Sequence, residues 1–413
     1  MYREDSFSSL PRFVKLKTLN KSDKDDYFLS LIALSQFPFV FVQLILISFG
    51  WAAESTTIYR IILSAGAILL ALPVILKRKG RTFILFYCFI GLLYLIHFLI
   101  FPGTIEYWHE KGFRFLVPIC IPSLFCVLCV RNIEFFYLAI KHICYITALF
   151  CLVFGVRLLL GAYYTEETYF MNFGFLLLLP VIVFFLENTW YSIILSLSFF
   201  LLLVVFGSRG PLLSVAVFSI YYIVRKKKYL FLIAVIVLAI VGYAAISSYL
   251  DSLGISSRTI QMFLEGDMMD DSGRNDIRVN IFKGIKDNPI IGNGLFGDRV
   301  LSKGYAHNFF IEVICHFGFV FGGALLIWLL YELLYVMTHL WGYHKDVFIA
   351  MMCILFLPLM TSGSYLEDPN FFIFIGMLLS MKKLILQRRC VGLCDTSLVV
   401  DRWRNRGTKR YEK

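Results

Sequence analysis

Apolar runs of about 15–26 residues recur along the whole chain, and a helix needs about 20 such residues to cross a bilayer core. Twelve such runs fall near 27–49, 58–76, 82–101, 113–130, 135–160, 169–186, 191–206, 211–224, 229–247, 313–337, 347–361 and 371–386. They predict an all-α, polytopic membrane helix bundle. Charged residues make up 16% of the chain, against about 25% in soluble domains, which excludes a pair of soluble domains.

A net charge of +11 raises the question of nucleic acid, and the placement of the cations answers it. Lys77-Arg78-Lys79 with Arg81, the run Arg225 to Lys228, the tail from Lys382 to Lys413 and the segment before Tyr27 all fall on one side of a twelve-span count. Basic flanks stay cytoplasmic, so both termini are expected inside, and topology accounts for the charge without nucleic acid. The first run lacks a small-residue cleavage site and reads as a span that stays. The expected organisation is a cytoplasmic segment at 1–26 and spans one to nine over 27–247. A large extracytoplasmic loop with short helices at 248–306, spans ten to twelve over 307–386 and a basic cytoplasmic tail at 387–413 complete it.

The loop Ser248–Ala306 is a polar island holding Arg258, Arg274, Arg278 and Arg299, whereas other interruptions are about a dozen residues or fewer. Chemistry is therefore expected on its face of the membrane. Gly292-Asn-Gly294-Leu-Phe-Gly297 has dinucleotide-loop spacing, but no strand–helix unit surrounds it. Close backbone approach to a ligand, or loop flexibility, is the better reading. Asp267, Asp270 and Asp271 lack the register of a calcium loop. Cys126-x-x-Cys129 has no companion ligands in its apolar run.

Ser272 to Asp287 reads as an amphipathic helix capped by Ser272 and stopped at Asn288-Pro289, with Ile277, Ile281, Phe282 and Ile285 on one stripe. Arg274 and Arg278 lie four apart on another face. They fit either a solvated basic face at the membrane or a diphosphate, which guanidinium groups bind bidentately. Arg209, in Gly207-Ser-Arg-Gly-Pro211, either snorkels to lipid headgroups or joins the outward N–H groups of a Pro-started helix in binding an anion. His307, at the boundary where apolar sequence resumes, offers a base near neutral pH. Glu312 and His316 follow it without a zinc-helix spacing, so no metal is expected. Arg60, Lys141 and Arg157 lie near span ends, where snorkelling suffices. Arg114, beside Glu106, His109 and Glu110 in an expected outer loop, is a further candidate for the outer site.

The ordered set Gly207-Ser-Arg-Gly-Pro-Leu-Leu, Gly273-Arg274, Asn288-Pro-Ile-Ile-Gly-Asn-Gly and His307-Asn308-Phe-Phe-Ile-Glu resembles the O-antigen polymerase and O-antigen ligase family, over roughly Trp190 to Leu340. The resemblance implies a glycosyltransferase of the bacterial cytoplasmic (inner) membrane with its active face extracytoplasmic. It implies an undecaprenyl-diphosphate-linked glycan donor, a glycan acceptor and no cofactor or metal. Arg209 and Arg274 would hold the diphosphate and His307 would stand at the acceptor, with Arg278, Asn308 and Glu312 as secondary residues. Membrane lipid is an expected partner, and a flippase and a chain-length regulator are candidate ones. Polymerisation of repeat units is the preferred reading. Transfer to a lipid A core and lipid-linked oligosaccharide transport are the alternatives.

Overall fold

A computed structural model describes residues 19–159, 171–206, 209–227 and 274–408, and every regular element among them is helical. The elements are α1 (Lys21–Leu34), α2 (Gln36–Ser48), α3 (Ala53–Ile100), α4 (Pro102–Leu128), α5 (Ile133–Leu159), α6 (Met171–Glu187), α7 (Trp190–Phe206), α8 (Arg209–Lys226), α9 (Arg274–Asp287), α10 (Gly297–Ser302), α11 (Phe309–His339), α12 (Gly342–Met360) and α13 (Pro369–Thr408). Seven helical stretches among the described residues are long and apolar enough to cross a membrane, and α6 and α7 are shorter apolar helices. The chain is a multi-pass membrane protein.

The expected count of twelve is not confirmed. The ninth run, 229–247, lies outside the described residues. The second and third expected spans form the single element α3, broken at Lys79 (φ −142°, ψ 29°). Packing shows how its halves run. Thr57 and Ser64 bond Gln43 and Gln36 at 2.9 Å each, while Arg78 grips Asp26 at the start of α1. The second half runs beside α4, with Phe83 on Phe125 (5.0 Å), Tyr87 on the Val117 carbonyl (2.7 Å) and Tyr94 on Trp108 (5.6 Å). Arg60 lies within electrostatic range of Cys120 and Asp368, which a straight helix of about 1.5 Å rise per residue would place far apart. The helix therefore folds back at Lys79.

Residues 102–112 are not the expected loop. They begin α4, with Trp108 fully buried, and Arg114 is exposed on that helix. Lys141 does not snorkel either: it is buried against Glu187 at 3.0 Å. Arg157 lies over the Phe49 ring (4.0 Å) and bonds the Ser48 carbonyl, near a helix end as expected. The extent of the large loop is not confirmed, since 248–273 lie outside the described residues with Arg258, the acidic run and Ser272. Its described part, 274–306, is packed onto the bundle. Ile281 and Ile285 of α9 close over Ala306 and Cys315, flanked by Ile277 and Ile311. Phe282, expected on the same stripe, is instead exposed, because it lies beyond the edge of that contact.

Candidate functional site

The turn after α9 is stitched to the middle of α11 by backbone. Asn293 N–H donates to the Cys315 carbonyl (2.8 Å), Gly294 N–H to His316 (3.0 Å) and Phe319 N–H to Pro289 (2.7 Å). Gly292 (φ +75°) and Gly318 (φ +68°) face each other there, and a Cβ on either would run into the other's backbone. Gly292 of the glycine fingerprint thus serves a close approach of backbone to backbone, while Gly294 packs against the Phe101 and His97 side chains. His97 of α3 adds its Nε2 as acceptor for Leu295 N–H at 2.6 Å.

Beyond that joint lies a buried ionic cluster. Asp298 and Glu312 are completely buried, and Arg299 is nearly so. One guanidinium nitrogen of Arg299 bonds both Asp298 oxygens (2.6 and 2.8 Å) and Glu312 Oε1 (3.2 Å). The other bonds Ser364 Oγ (2.6 Å) and Glu367 Oε1 (2.8 Å). Glu312 also accepts from the Ser364 hydroxyl and from Tyr365 N–H (3.3 Å). His316 Nε2 donates to Asp298 Oδ1 (2.9 Å), and its Nδ1 lies 2.8 Å from the Tyr365 hydroxyl. Burial alone would raise the Asp298 carboxyl. The charges and hydrogen bonds of His316 and then Arg299 overcome it and hold that carboxyl well below the ordinary range. Burial opposes the Arg299 charge, but Asp298, Glu312 and Glu367 raise its pKa on balance. Ligand atoms of Asp298, Glu312 and His316 lie within 4.8 Å of one another, close enough for a metal ion, and Arg299 supplies positive charge to both carboxylates.

The rim of this cluster carries His307. Asp298 Oδ2 accepts from Ala306 N–H (3.1 Å), and Ser302 Oγ bonds the Asp298 and Gly304 carbonyls at 2.8 Å each. His307 is half-buried in a left-handed conformation (φ +53°), its ring 3.9 Å from that of Tyr305. Asn308 caps α11 by accepting from Phe310 and Ile311 N–H (3.0 and 3.2 Å), and it donates to the Met360 carbonyl (3.1 Å). Gly210 of α8 packs on Thr361, the residue after Met360, so the start of α8 reaches the same end of the bundle.

Of the expected site residues, His307, Asn308 and Glu312 therefore share one end of the molecule. Glu312 faces Arg299, Ser364 and Tyr365 inside the cluster rather than the rim. Arg209 and Arg274 are the first residues of α8 and α9, and Arg278 is half-buried one turn into α9. Arg114, on α4, makes no hydrogen bond or ion pair with the His307 segment among the described residues. Asp298, Arg299, His316, Ser364 and Tyr365 were not expected. One signal was present: Glu312 and His316 are four apart, on one face of a helix.

The apolar helices define a multi-pass membrane protein, and one end of the bundle carries a left-handed histidine beside buried ion pairs. A family profile described as O-antigen ligase matches residues 193–329. Over that stretch, which runs from α7 into α11, the chain is similar to the O-antigen ligase family. No curated protein and no solved structure matches the chain.

Proposed function

We propose that the chain is a metal-independent membrane glycosyltransferase that polymerises undecaprenyl-diphosphate-linked oligosaccharide repeat units into O-antigen, capsular or exopolysaccharide at the outer face of the cytoplasmic membrane. The observation that carries this reading is the O-antigen ligase match over 193–329, the segment that contains Arg209, Arg274 and His307. In the proposed reaction the acceptor hydroxyl oxygen attacks the anomeric carbon and the bond to the diphosphate oxygen breaks. Undecaprenyl diphosphate leaves and the anomeric centre inverts. Arg209 and Arg274 stabilise the charge on the leaving diphosphate, an interaction whose removal costs on the order of 10²–10³ in rate. His307 takes the hydroxyl proton, worth about 10²–10⁴.

The match to O-antigen ligase favours a second reading in which the glycan of the same donor is transferred to a lipid A core. The two differ only in acceptor, so one experiment separates them. The full-length protein in detergent is given the lipid-linked repeat unit, with and without lipid A core. A ladder on the undecaprenyl carrier supports polymerisation, whereas product only on lipid A core supports ligation. Release of no undecaprenyl diphosphate in either mixture overturns both and leaves transport. Arg209→Ala, Arg274→Ala and His307→Ala should each lower turnover at least about 10²-fold with normal membrane abundance. Wild-type product from Arg274→Ala would remove the diphosphate role of that residue. The face is tested at exposed Lys303: a cysteine there should react with an impermeant thiol reagent added outside intact cells.

A further inference from the structure

His307 is one of three non-glycine residues within twelve positions that adopt left-handed backbone, with Phe296 (φ +64°) and Lys303 (φ +58°). Such backbone is sparsely populated by non-glycine residues and persists only where its surroundings over-determine it. The source of that determination is visible for His307. On its N-terminal side the Ala306 amide is tied to Asp298 Oδ2, and on its C-terminal side Asn308 is tied to the first turn of α11 and to Met360. Asp298 cannot swing, because its other oxygen receives His316 Nε2 and both receive Arg299. His316 in turn is oriented by the Tyr365 hydroxyl on its Nδ1, and all three side chains are buried.

We infer that His316 and Asp298 are positioning residues for His307: the buried imidazole fixes the carboxylate, the carboxylate fixes the Ala306 amide, and the amide sets the backbone from which the His307 ring reaches the acceptor. The inference rests on the reading of His307 as the proton acceptor. Arg299 has a different part. It neutralises two buried carboxylates, so its loss damages the fold itself, whereas His316 contributes one directed hydrogen bond whose loss leaves Asp298 paired. Displacing a catalytic group by about 1 Å is enough for about 10²-fold in rate, so a buried residue that never touches substrate still acts on turnover.

The test uses the full-length protein in detergent with the undecaprenyl-diphosphate-linked repeat unit. His316→Leu should lower kcat per folded molecule about 10- to 100-fold with KM within about twofold, alongside a lower melting temperature because the buried Tyr365 hydroxyl loses its partner. His316→Gln, whose amide can still donate to Asp298, should recover part of the loss. Tyr365→Phe should give a smaller drop in kcat alone, and it keeps the test available if His316→Leu does not accumulate. Combined with His307→Gln, His316→Leu should cost little more than His307→Gln by itself, because both act on the same group. The inference is overturned if His316→Leu and Tyr365→Phe turn over at the wild-type rate, if kcat falls only in proportion to folded protein, or if the losses add in the double variant. Failure of the underlying reading looks different: His307→Ala alone would then retain wild-type turnover.

Discussion

Two buried ionic clusters sit at opposite ends of the helical bundle, and they do different work. At the basic end Asp26, 1% exposed, receives Arg78 together with the amides of Asn132 (2.9 Å) and Arg131 (3.3 Å), while Arg78 also bonds the carbonyls of Cys129 (2.9 Å) and Ser22 (3.0 Å). Every bond there closes the end of a helix: the start of α1, the kink of α3 and the turn between α4 and α5. At the other end Asp298 is equally buried and equally paired, yet one of its oxygens is committed to the amide before a left-handed histidine. The first cluster holds helix ends together. The second also holds one residue in a conformation it would not adopt unaided. Burial and pairing alone do not separate a staple from a site frame; the backbone each one fixes does.

Replacing the two arginines sharpens that contrast. Removing one partner of a buried pair costs about 3–5 kcal/mol, because the charge left behind stays out of water. Arg299→Ala strands two fully buried carboxylates, so the largest expected effect is its loss of melting temperature together with loss of turnover per folded molecule. Arg78→Ala should lower the melting temperature to a lesser extent, since one fully buried carboxylate, Asp26, loses its cation instead of two. The Arg78→Ala protein that remains folded should turn over at the wild-type rate. Thermal melts paired with single-turnover assays on the same preparations check both. Equal loss of specific activity in the two variants would break the comparison.

A smaller effect is expected from the joint that carries the ionic cluster. Gly318 has φ +68° and ψ −177°, a region nearly closed to other residues, and a Cβ there would meet the Ile290 carbonyl. Gly318→Ala should destabilise by about 1–3 kcal/mol. It should lower kcat less than Arg299→Ala does, since the side-chain bonds to Asp298 are not removed. A melt unchanged from wild type would show that the two backbones can separate at no cost.

The helical class and most of the elements were legible because lipid leaves a chain so few options: an apolar run of adequate length must be a helix. The runs expected at 27–49, 135–160 and 371–386 correspond to the helical stretches Lys21–Ser48, Ile133–Arg157 and Pro369–Arg388. Hydropathy could not show that residues 102–112, with Glu106, His109 and Glu110, continue as helix, because polar residues on an exposed face look like loop in a sliding window. Lys141 misled for a related reason. Its partner Glu187 is 46 positions away at the end of another helix, and no local pattern joins them. Of the residues around the buried ionic cluster, His307 and Asn308 were singled out by their place at the boundary of the polar island. Ser364 and Tyr365 were not, since only the tertiary fold carries the loop 361–368 to Arg299.

That same loop ends on Asp368, where the smallest effect is expected. Burial pushes the Asp368 carboxyl up to about 6, against the Asn370 amide and the Arg60 charge, which both favour ionisation. The folded protein therefore binds this proton more tightly than the unfolded chain, whose carboxyl has the ordinary value of 3.8. Stability linked to this group is fully present below the unfolded value and is lost as pH rises from there through the folded value. Asp368→Asn keeps an oxygen for the Asn370 amide and removes the ionisation. It should melt higher than wild type at pH 7.5, by a difference on the order of 1 kcal/mol that shrinks toward zero near pH 4. The opposite sign at pH 7.5 would mean that ionised Asp368 is worth more to Arg60 than its desolvation costs. The neighbouring carboxylates of Glu367 and Asp368 would then both be held by cations, Arg299 and Arg60, and the site end would resemble the Asp26 end more closely than the comparison above allows.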